Sequence, residues 1–154
     1  MEKHKKEGRY QRIFKQLEAL IAKSNDIHAR MATVIAVLHH KLDYFFWTGF
    51  YVLSTDGELV VRSYQGPVAC QVLEKGKGVC WAGINRKESI IVEDVHQFPG
   101  HIACDSRSRS EIVVPFRNKQ GDIIGVLDVD SKNLAAFDDT DAQWLEKILK
   151  LMEG

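Results

Sequence analysis

The sequence predicts an α+β fold in which helices at both ends of the chain cover a central antiparallel sheet. Apolar residues recur at helical spacing in residues 1–42 and again in residues 138–153. Between them, residues 43–130 contain short β-branched and aromatic runs separated by turn residues, which is typical of hairpin-connected strands. We therefore expect one domain made of N-terminal helices, a sheet with functional loops, and a C-terminal helix.

The composition excludes several classes of protein. The 154 residues suffice for one domain with a sizeable core. Lys and Arg together number 21, as do Asp and Glu, so no basic field favours nucleic acid as a partner. No apolar run reaches the length of a membrane span, and the N-terminus lacks the apolar segment of a signal peptide. We expect a cytoplasmic protein with neither membrane nor nucleic acid as a partner.

Two helices are predicted before the sheet. The first spans residues 1–23, with Ile13 and Leu17 on its apolar face. Its start is rich in lysine and arginine, and we interpret this charge run as a solvated face or a frayed end. Residues 24–26 are good helix-capping types, so a second helix is expected from there to about Leu42.

An aromatic strand is predicted at residues 44–53. Because side chains alternate faces along a strand, Trp47, Gly49 and Tyr51 share one side. Gly49 between two aromatic residues suggests a hollow that receives a small ligand. Ordinary packing of the aromatic side chains in a core is the alternative interpretation.

Shorter elements follow the aromatic strand. The predicted order is a strand at 58–64 after an Asp-Gly turn, irregular chain at 65–78, a helix at 79–85, a strand at 89–92, a hairpin with strands 110–116 and 123–129, and a final helix capped by Asp138 or Asp139.

Three acidic residues are expected to meet on the hairpin. Asp128 and Asp130 lie on the same face of the second strand, at the end of an apolar row. Folding the hairpin brings Glu111 roughly opposite Asp128, with Asp130 beside it or one pair further. Crowded like charges raise at least one pKa, so such a patch can bind an ammonium group and also donate a proton. Solvated acids at a strand end are the alternative.

The three cysteines, Cys70, Cys80 and Cys104, are an odd number without a CxxC pair, which argues against a structural disulfide framework. A metal site formed by His96, His101 and Cys104 lacks the usual ligand spacing, so we predict neither metal nor organic cofactor. Buried inert thiols and redox-active thiols remain as alternatives, and the neighbouring glycine-rich loops favour reactivity. Cys80 is expected at the start of a helix, where its pKa would be lowered.

Four segments carry a resemblance to a known family. They read GPVACQVLEKGKGVC, IIVEDVHQFPGHIACD, SEIVVP and IIGVLDVDS, and WTGFYV matches as well. Across about residues 43–141 the chain resembles the free methionine-(R)-sulfoxide reductases, which are enzymes built on a GAF domain. The resemblance implies reduction of free L-methionine (R)-sulfoxide to methionine, recycling by thioredoxin, a cytoplasmic location and a homodimer.

The resemblance also implies roles for particular residues. The catalytic, recycling and third cysteines of the family match, in that order, Cys104, Cys70 and Cys80. The carboxylates of the substrate pocket match Glu111, Asp128 and Asp130, and the aromatic residues that hold the substrate methyl group match Trp47 and Tyr51.

The chemistry that these roles imply is a thiol cycle. A thiolate attacks the sulfoxide sulfur, an acid protonates the oxygen, and the resulting sulfenic acid condenses with a second thiol to an intramolecular disulfide. We expect Glu111 or Asp130 to serve the oxygen and Asp128 the ammonium.

One position departs from the family pattern, because Trp81 follows Cys80 where members often have glycine. This bulky ring is expected to restrict the motion of Cys80. Two other interpretations come from different classes of protein. A non-catalytic GAF sensor would bind a small molecule, but it has no need for three thiols beside a cluster of acids. A zinc-binding regulator would carry bound metal.

Overall fold

The computed structural model describes residues 1–101 and 104–153. Two residues of the GHIACD motif, Ile102 and Ala103, therefore lie outside the described residues. The helices are α1 (Lys3–Ile21), α2 (Ile27–Lys41), α3 (Gly78–Arg86) and α4 (Asp139–Glu153), with a short 3-10 turn at Val95–Gln97. The strands are β1 (Trp47–Leu53), β2 (Leu59–Gln65), β3 (Val72–Leu73), β4 (Ile90–Val92), β5 (Ser110–Arg117) and β6 (Ile123–Ser131). The predicted α+β class is confirmed.

All six strands form one antiparallel sheet in the order β3-β2-β1-β6-β5-β4. The aromatic strand β1 and the acidic strand β6 are therefore direct neighbours at the centre. Their register pairs Trp47 with Asp130 and Gly49 with Asp128. Aromatic and acidic side chains thus share one face of the sheet.

The predicted register of the β5–β6 hairpin was wrong by two residues. Glu111 lies opposite Asp130, whereas Asp128 lies opposite Val113. The ladder has an irregularity between Phe116 and Arg117, next to the turn. This irregularity accounts for one of the two residues, because a single extra residue shifts every later pair by one. The other arises because β5 extends to Arg117, one residue beyond its predicted end. The three acids nevertheless stay on the same face.

The two faces of the sheet bury different cores. One face packs against α2 and α4, on which α1 packs in turn, and the core on this side includes Phe50, Leu127 and Leu145. The other face packs against α3 and nearby loops, and its core includes Trp47, Tyr51, Cys80 and Val113. The candidate site residues belong to this second side.

The basic start of α1 is not wholly solvated, so this interpretation was wrong for Lys6. Its side chain is 2% exposed, and its Nζ donates to Asp141 Oδ2 over 2.6 Å. Tyr10 and Tyr44 donate hydroxyl hydrogen bonds to Asp141 Oδ1 over 2.7 and 2.6 Å. This network joins α1 to the start of α4 and includes Tyr44, which was predicted to begin the aromatic strand. The observed strand β1 begins three residues later, at Trp47.

Two smaller features complete the fold. Asp138 caps α4 as predicted, because its Oδ1 accepts from the backbone N–H groups of Thr140 and Asp141. The two-residue strand β3 at the edge of the sheet was not predicted. None of the helices in the described ranges is both long and apolar enough to cross a membrane.

Candidate active site

A cavity of about 50 Å³ lies on the α3 side of the sheet, between the centre of the sheet and the loops that follow β2 and β4. It is lined by every predicted site residue except one. These are Trp47, Tyr51, Cys80, Cys104, Glu111, Asp128 and Asp130. The remaining residue, Cys70, is covalently bonded to one of them.

Cys70 and Cys104 form a disulfide at the mouth of the cavity, with 5.6 Å between their Cα atoms. The two cysteines are 34 positions apart, on the loops that precede β3 and β5. Cys104 is exposed and Cys70 half-buried, so solvent reaches this bond. A disulfide at a cavity mouth on two loops is suited to a bond that is made and reduced repeatedly.

Hydrogen bonds tie the Cys70 loop to the aromatic strand. Trp47 Nε1 donates to the carbonyl oxygen of Pro67 over 3.0 Å, and the Tyr51 hydroxyl donates to that of Cys70 over 2.9 Å. Gly66 has a φ of +121°, a conformation that side chains rarely adopt. The aromatic residues therefore hold the loop that carries Cys70, in addition to lining the cavity.

The hollow predicted at Gly49 is filled by the protein itself. A Cβ atom at this position would lie 2.5 Å from the Trp47 ring and 2.5 Å from Tyr64 Cβ. The Trp47 ring stacks between Tyr51 and Tyr64, with centroid distances of 5.8 and 5.3 Å. Gly49 thus makes room for an indole, and the prediction that it receives a ligand was wrong.

The three acids form a buried cluster at the base of the cavity. Glu111 and Asp128 are each 6% exposed, and Asp130 is half-buried. Burial raises the pKa of Glu111 well above its usual value, and the charges of Asp128 and Asp130 raise it further. The pKa of Asp130 is raised well above its usual value by burial and then by Asp128. Removal from water therefore contributes more than the crowding on which the sequence argument relied.

Asp128 differs from its two neighbours. Burial raises its pKa, and hydrogen bonds from Glu111 and Cys80 partly offset that rise. Its Oδ1 is buried and finds no hydrogen-bond partner among the described residues. A buried acceptor without a partner costs about 1–3 kcal/mol, so this oxygen is suited to a ligand that brings a donor.

Cys80 contradicts the expectation of a lowered pKa. It lies in the first turn of α3, but its side chain is only 4% exposed. Burial raises the pKa of its thiol well above the usual value, and Asp128 and Glu111 raise it further. Desolvation therefore outweighs the helix terminus. The neighbouring Trp81 is also buried, with its Nε1 3.4 Å from the carbonyl oxygen of Leu73.

Comparison with known proteins agrees with this geometry. The chain matches the family described as GAF domain over residues 24–153. It is 47% identical to GAF domain-containing protein A of Dictyostelium discoideum, over 99% of this chain and 95% of the relative. It is 40% identical to the free methionine-R-sulfoxide reductase of Escherichia coli, over 94% of this chain and 86% of the relative.

A solved structure is similar as well. It shows the free methionine-R-sulfoxide reductase from Neisseria meningitidis in complex with its substrate. It has a TM-score of 0.89 and 43% sequence identity, and the match covers 94% of this chain and 86% of that chain. The chain belongs to the free methionine-R-sulfoxide reductase family of GAF domains. The resemblance predicted from the sequence is therefore confirmed.

Three further residues that line the cavity of this reductase come from the loop before β5. His101, Asp105 and Ser108 line the cavity, and sequence reasoning considered only the first, as a metal ligand. Arg107 binds both carboxylate oxygens of Asp105, at 3.0 and 2.8 Å, and holds the pKa of Asp105 at about 2. The signal available in the sequence was that residues 105–108 are all polar and lie between Cys104 and the strand that carries Glu111.

Candidate metal ligands also differ from those considered in the sequence. Within the described ranges, the residues that come together are Cys80, Glu111 and Asp128, with one ligand atom from each within 4.8 Å of the others. The set of His96, His101 and Cys104 does not form such a group there, and the sulfur of Cys104 is committed to Cys70.

Proposed function

We propose that this protein reduces free L-methionine (R)-sulfoxide to methionine in a thiol cycle. The observation that carries the proposal is the disulfide between Cys70 and Cys104 at the mouth of a cavity with buried acids at its base. Membership of the reductase family and the similarity to the Neisseria meningitidis enzyme support the same reaction.

In the reduced form, Cys104 is the nucleophile. Its thiolate attacks the sulfoxide sulfur, while a protonated acid transfers its proton to the sulfoxide oxygen. Methionine leaves with a thioether sulfur that has gained two electrons. Cys104 has lost two electrons and retains the oxygen as a sulfenic acid. Glu111 and Asp130 are the proposed proton donors, because burial raises the pKa values of both carboxyl groups and so favours their protonated form.

Substrate recognition uses the remaining groups of the cavity. The unpartnered Oδ1 of Asp128 accepts a hydrogen bond from the ammonium group, which gives this buried oxygen the donor that it lacks. Trp47 and Tyr51 line the cavity and contact the methyl group there. A methionine sulfoxide residue within a peptide has no such ammonium group, so the free amino acid is preferred.

The cycle closes through the second thiol. Cys70 attacks the sulfenic acid on Cys104, releases water and forms the disulfide. Thioredoxin then reduces this bond by thiol–disulfide exchange, and we propose a cytoplasmic homodimer as the working form. For Cys80, the third thiol of the family, deep burial and the raised pKa that results from it argue against direct thiol–disulfide exchange.

The test is an assay with both epimers of free methionine sulfoxide, thioredoxin, its reductase and NADPH. We expect NADPH oxidation and methionine formation with the (R) epimer alone. Cys104→Ser is the matched control and should be inactive although folded. If reduced, folded protein turns over neither epimer, even with dithiothreitol, the proposal fails and a non-catalytic GAF sensor becomes the better interpretation. Turnover with dithiothreitol but not with thioredoxin would refute only the proposed reductant.

A further inference from the structure

The base of the cavity brings together a thiol and two carboxylates. Among the described residues, ligand atoms of Cys80, Glu111 and Asp128 lie within 4.8 Å of one another. All three side chains are buried, at 4%, 6% and 6% exposure. In addition, Asp128 Oδ1 is buried without a hydrogen-bond partner in the described chain. One thiol and two carboxyl groups, each able to donate a lone pair to a cation, thus surround a site that forms no salt bridge with a positive side chain in the described chain.

We propose that this cluster binds a thiophilic divalent cation of the Zn²⁺ class. Zinc accepts thiolate and carboxylate ligands in tetrahedral geometry, and three protein ligands leave a fourth position for water. Magnesium and calcium prefer oxygen ligands in larger number, so the thiol selects against them. Binding displaces the thiol proton and any proton on the carboxyl groups, and no oxidation or reduction takes place.

The location of the cluster in the cavity determines how a cation reaches it and which substrate contacts the bound cation blocks. The three side chains line the same cavity as Cys104, so an ion reaches them from the cavity mouth. Once bound, the ion occupies the Asp128 and Glu111 oxygens that serve the substrate in the proposed function. The expectation that the cation competes with methionine sulfoxide rests on the proposed function. The expectation that the cluster binds a cation does not.

In the disulfide form of the protein, metal binding to a thiol can be tested at Cys80 alone. Of the three cysteines, Cys70 and Cys104 are bonded to each other, so Cys80 is the one remaining thiol in the chain. Reduced protein would offer metal ions two more thiols. We therefore propose a titration of the disulfide form with Co²⁺ to observe sulfur-to-metal charge transfer, followed by displacement with Zn²⁺. Mg²⁺ is the negative control.

The expected result is a charge-transfer band at one Co²⁺ per chain, which Zn²⁺ removes and Mg²⁺ does not. Loss of a residue that hydrogen-bonds to a metal ligand weakens metal binding about 10- to 100-fold. Cys80→Ser removes a ligand itself, so it should weaken Zn²⁺ binding at least about 100-fold and abolish the charge-transfer band. Asp128→Asn should weaken Zn²⁺ binding as well. His28→Gln changes an exposed histidine and is the matched control, with binding unchanged.

Two results would overturn the proposal. One is the absence of a charge-transfer band in folded disulfide protein. The other is equal Zn²⁺ affinity in the parent, Cys80→Ser and Asp128→Asn proteins, which would indicate surface binding. Competition is tested separately in the reduced enzyme, where Zn²⁺ should raise KM for the sulfoxide without changing kcat, and should do so more in the parent than in Cys80→Ser, which keeps the other two thiols. A fall in kcat alone would contradict that consequence and leave the binding result standing.

Discussion

Replacing Lys6 by methionine tests whether the buried network between α1 and α4 stabilises the fold. Lys6 Nζ contacts Asp141 over 2.6 Å and the Ala136 carbonyl over 3.0 Å, with side-chain exposures of 2% for Lys6 and 0% for Asp141. Removal of one partner of a buried ion pair costs about 3–5 kcal/mol, because the other charge is left uncompensated. Asp141 keeps hydrogen bonds from Tyr10 and Tyr44, so we expect the lower end, about 3 kcal/mol.

Urea unfolding followed by circular dichroism measures this loss. With a slope of about 1–3 kcal/mol per molar urea, Lys6→Met should lower the midpoint by about 1–3 M without changing the slope. Lys5→Met is the matched control, since Lys5 is exposed in the same helical turn. Its free energy of unfolding should change by less than about 0.5 kcal/mol. A loss below about 1 kcal/mol for Lys6→Met would refute the argument that this charge pair stabilises the docking of α1.

Three further predictions concern the cavity. The raised pKa of Glu111 adds stability that is fully present below its unfolded value of about 4 and is lost as pH rises through the folded value. Glu111→Gln should therefore flatten the fall in unfolding free energy with rising pH, and an unchanged slope would contradict this sign. Tyr51→Phe removes the hydrogen bond to the Cys70 carbonyl, worth about 0.5–1.5 kcal/mol, so disulfide formation after the first turnover should slow about 2- to 10-fold and more than methionine release. Rapid-quench analysis of both steps checks this, and equal slowing would argue against a role in positioning the loop. Finally, Cys80 in the disulfide form should react slowly with N-ethylmaleimide at neutral pH and quickly in urea, because its pKa is raised by burial. Fast labelling of the folded protein, measured by mass spectrometry, would contradict this burial.

Sequence periodicity was sufficient to predict most of the fold. The helical spacing of Ile13 and Leu17 and the β-branched strands of the hairpin each reflect burial of one side of one element, which is a local pattern. The two-residue strand β3 was missed because it is too short to show any period.

Long-range pairings were not predictable from local patterns. Lys6 belongs to a basic run that is typical of a solvated face, and only the fold brings it to Asp141, which is 135 positions away. The hairpin register similarly depends on where β5 ends and on one irregularity beside the turn. In both cases a local rule was overruled by a contact that the sequence does not display.

Sequence reasoning predicted which residues come together at the candidate site better than it predicted their pKa values and packing. The cysteines, acids and aromatic residues implied by the resemblance come together at one cavity. The pKa of Cys80 was predicted in the wrong direction, because position at a helix start is visible in sequence and depth of burial is not. At Gly49, the missing side chain serves the Trp47 ring, a contact within the chain that mimics a ligand hollow.

A single-turnover experiment on Cys70→Ser protein tests the proposed chemistry most directly. Without the second thiol, reduced protein mixed with free L-methionine (R)-sulfoxide should yield about one methionine per chain and then stop with thioredoxin as reductant. Cys104 should carry a sulfenic acid that dimedone traps and mass spectrometry locates. Methionine formation without modification of Cys104, or equal formation by the Cys104→Ser variant, would contradict the assignment of Cys104 as the nucleophile.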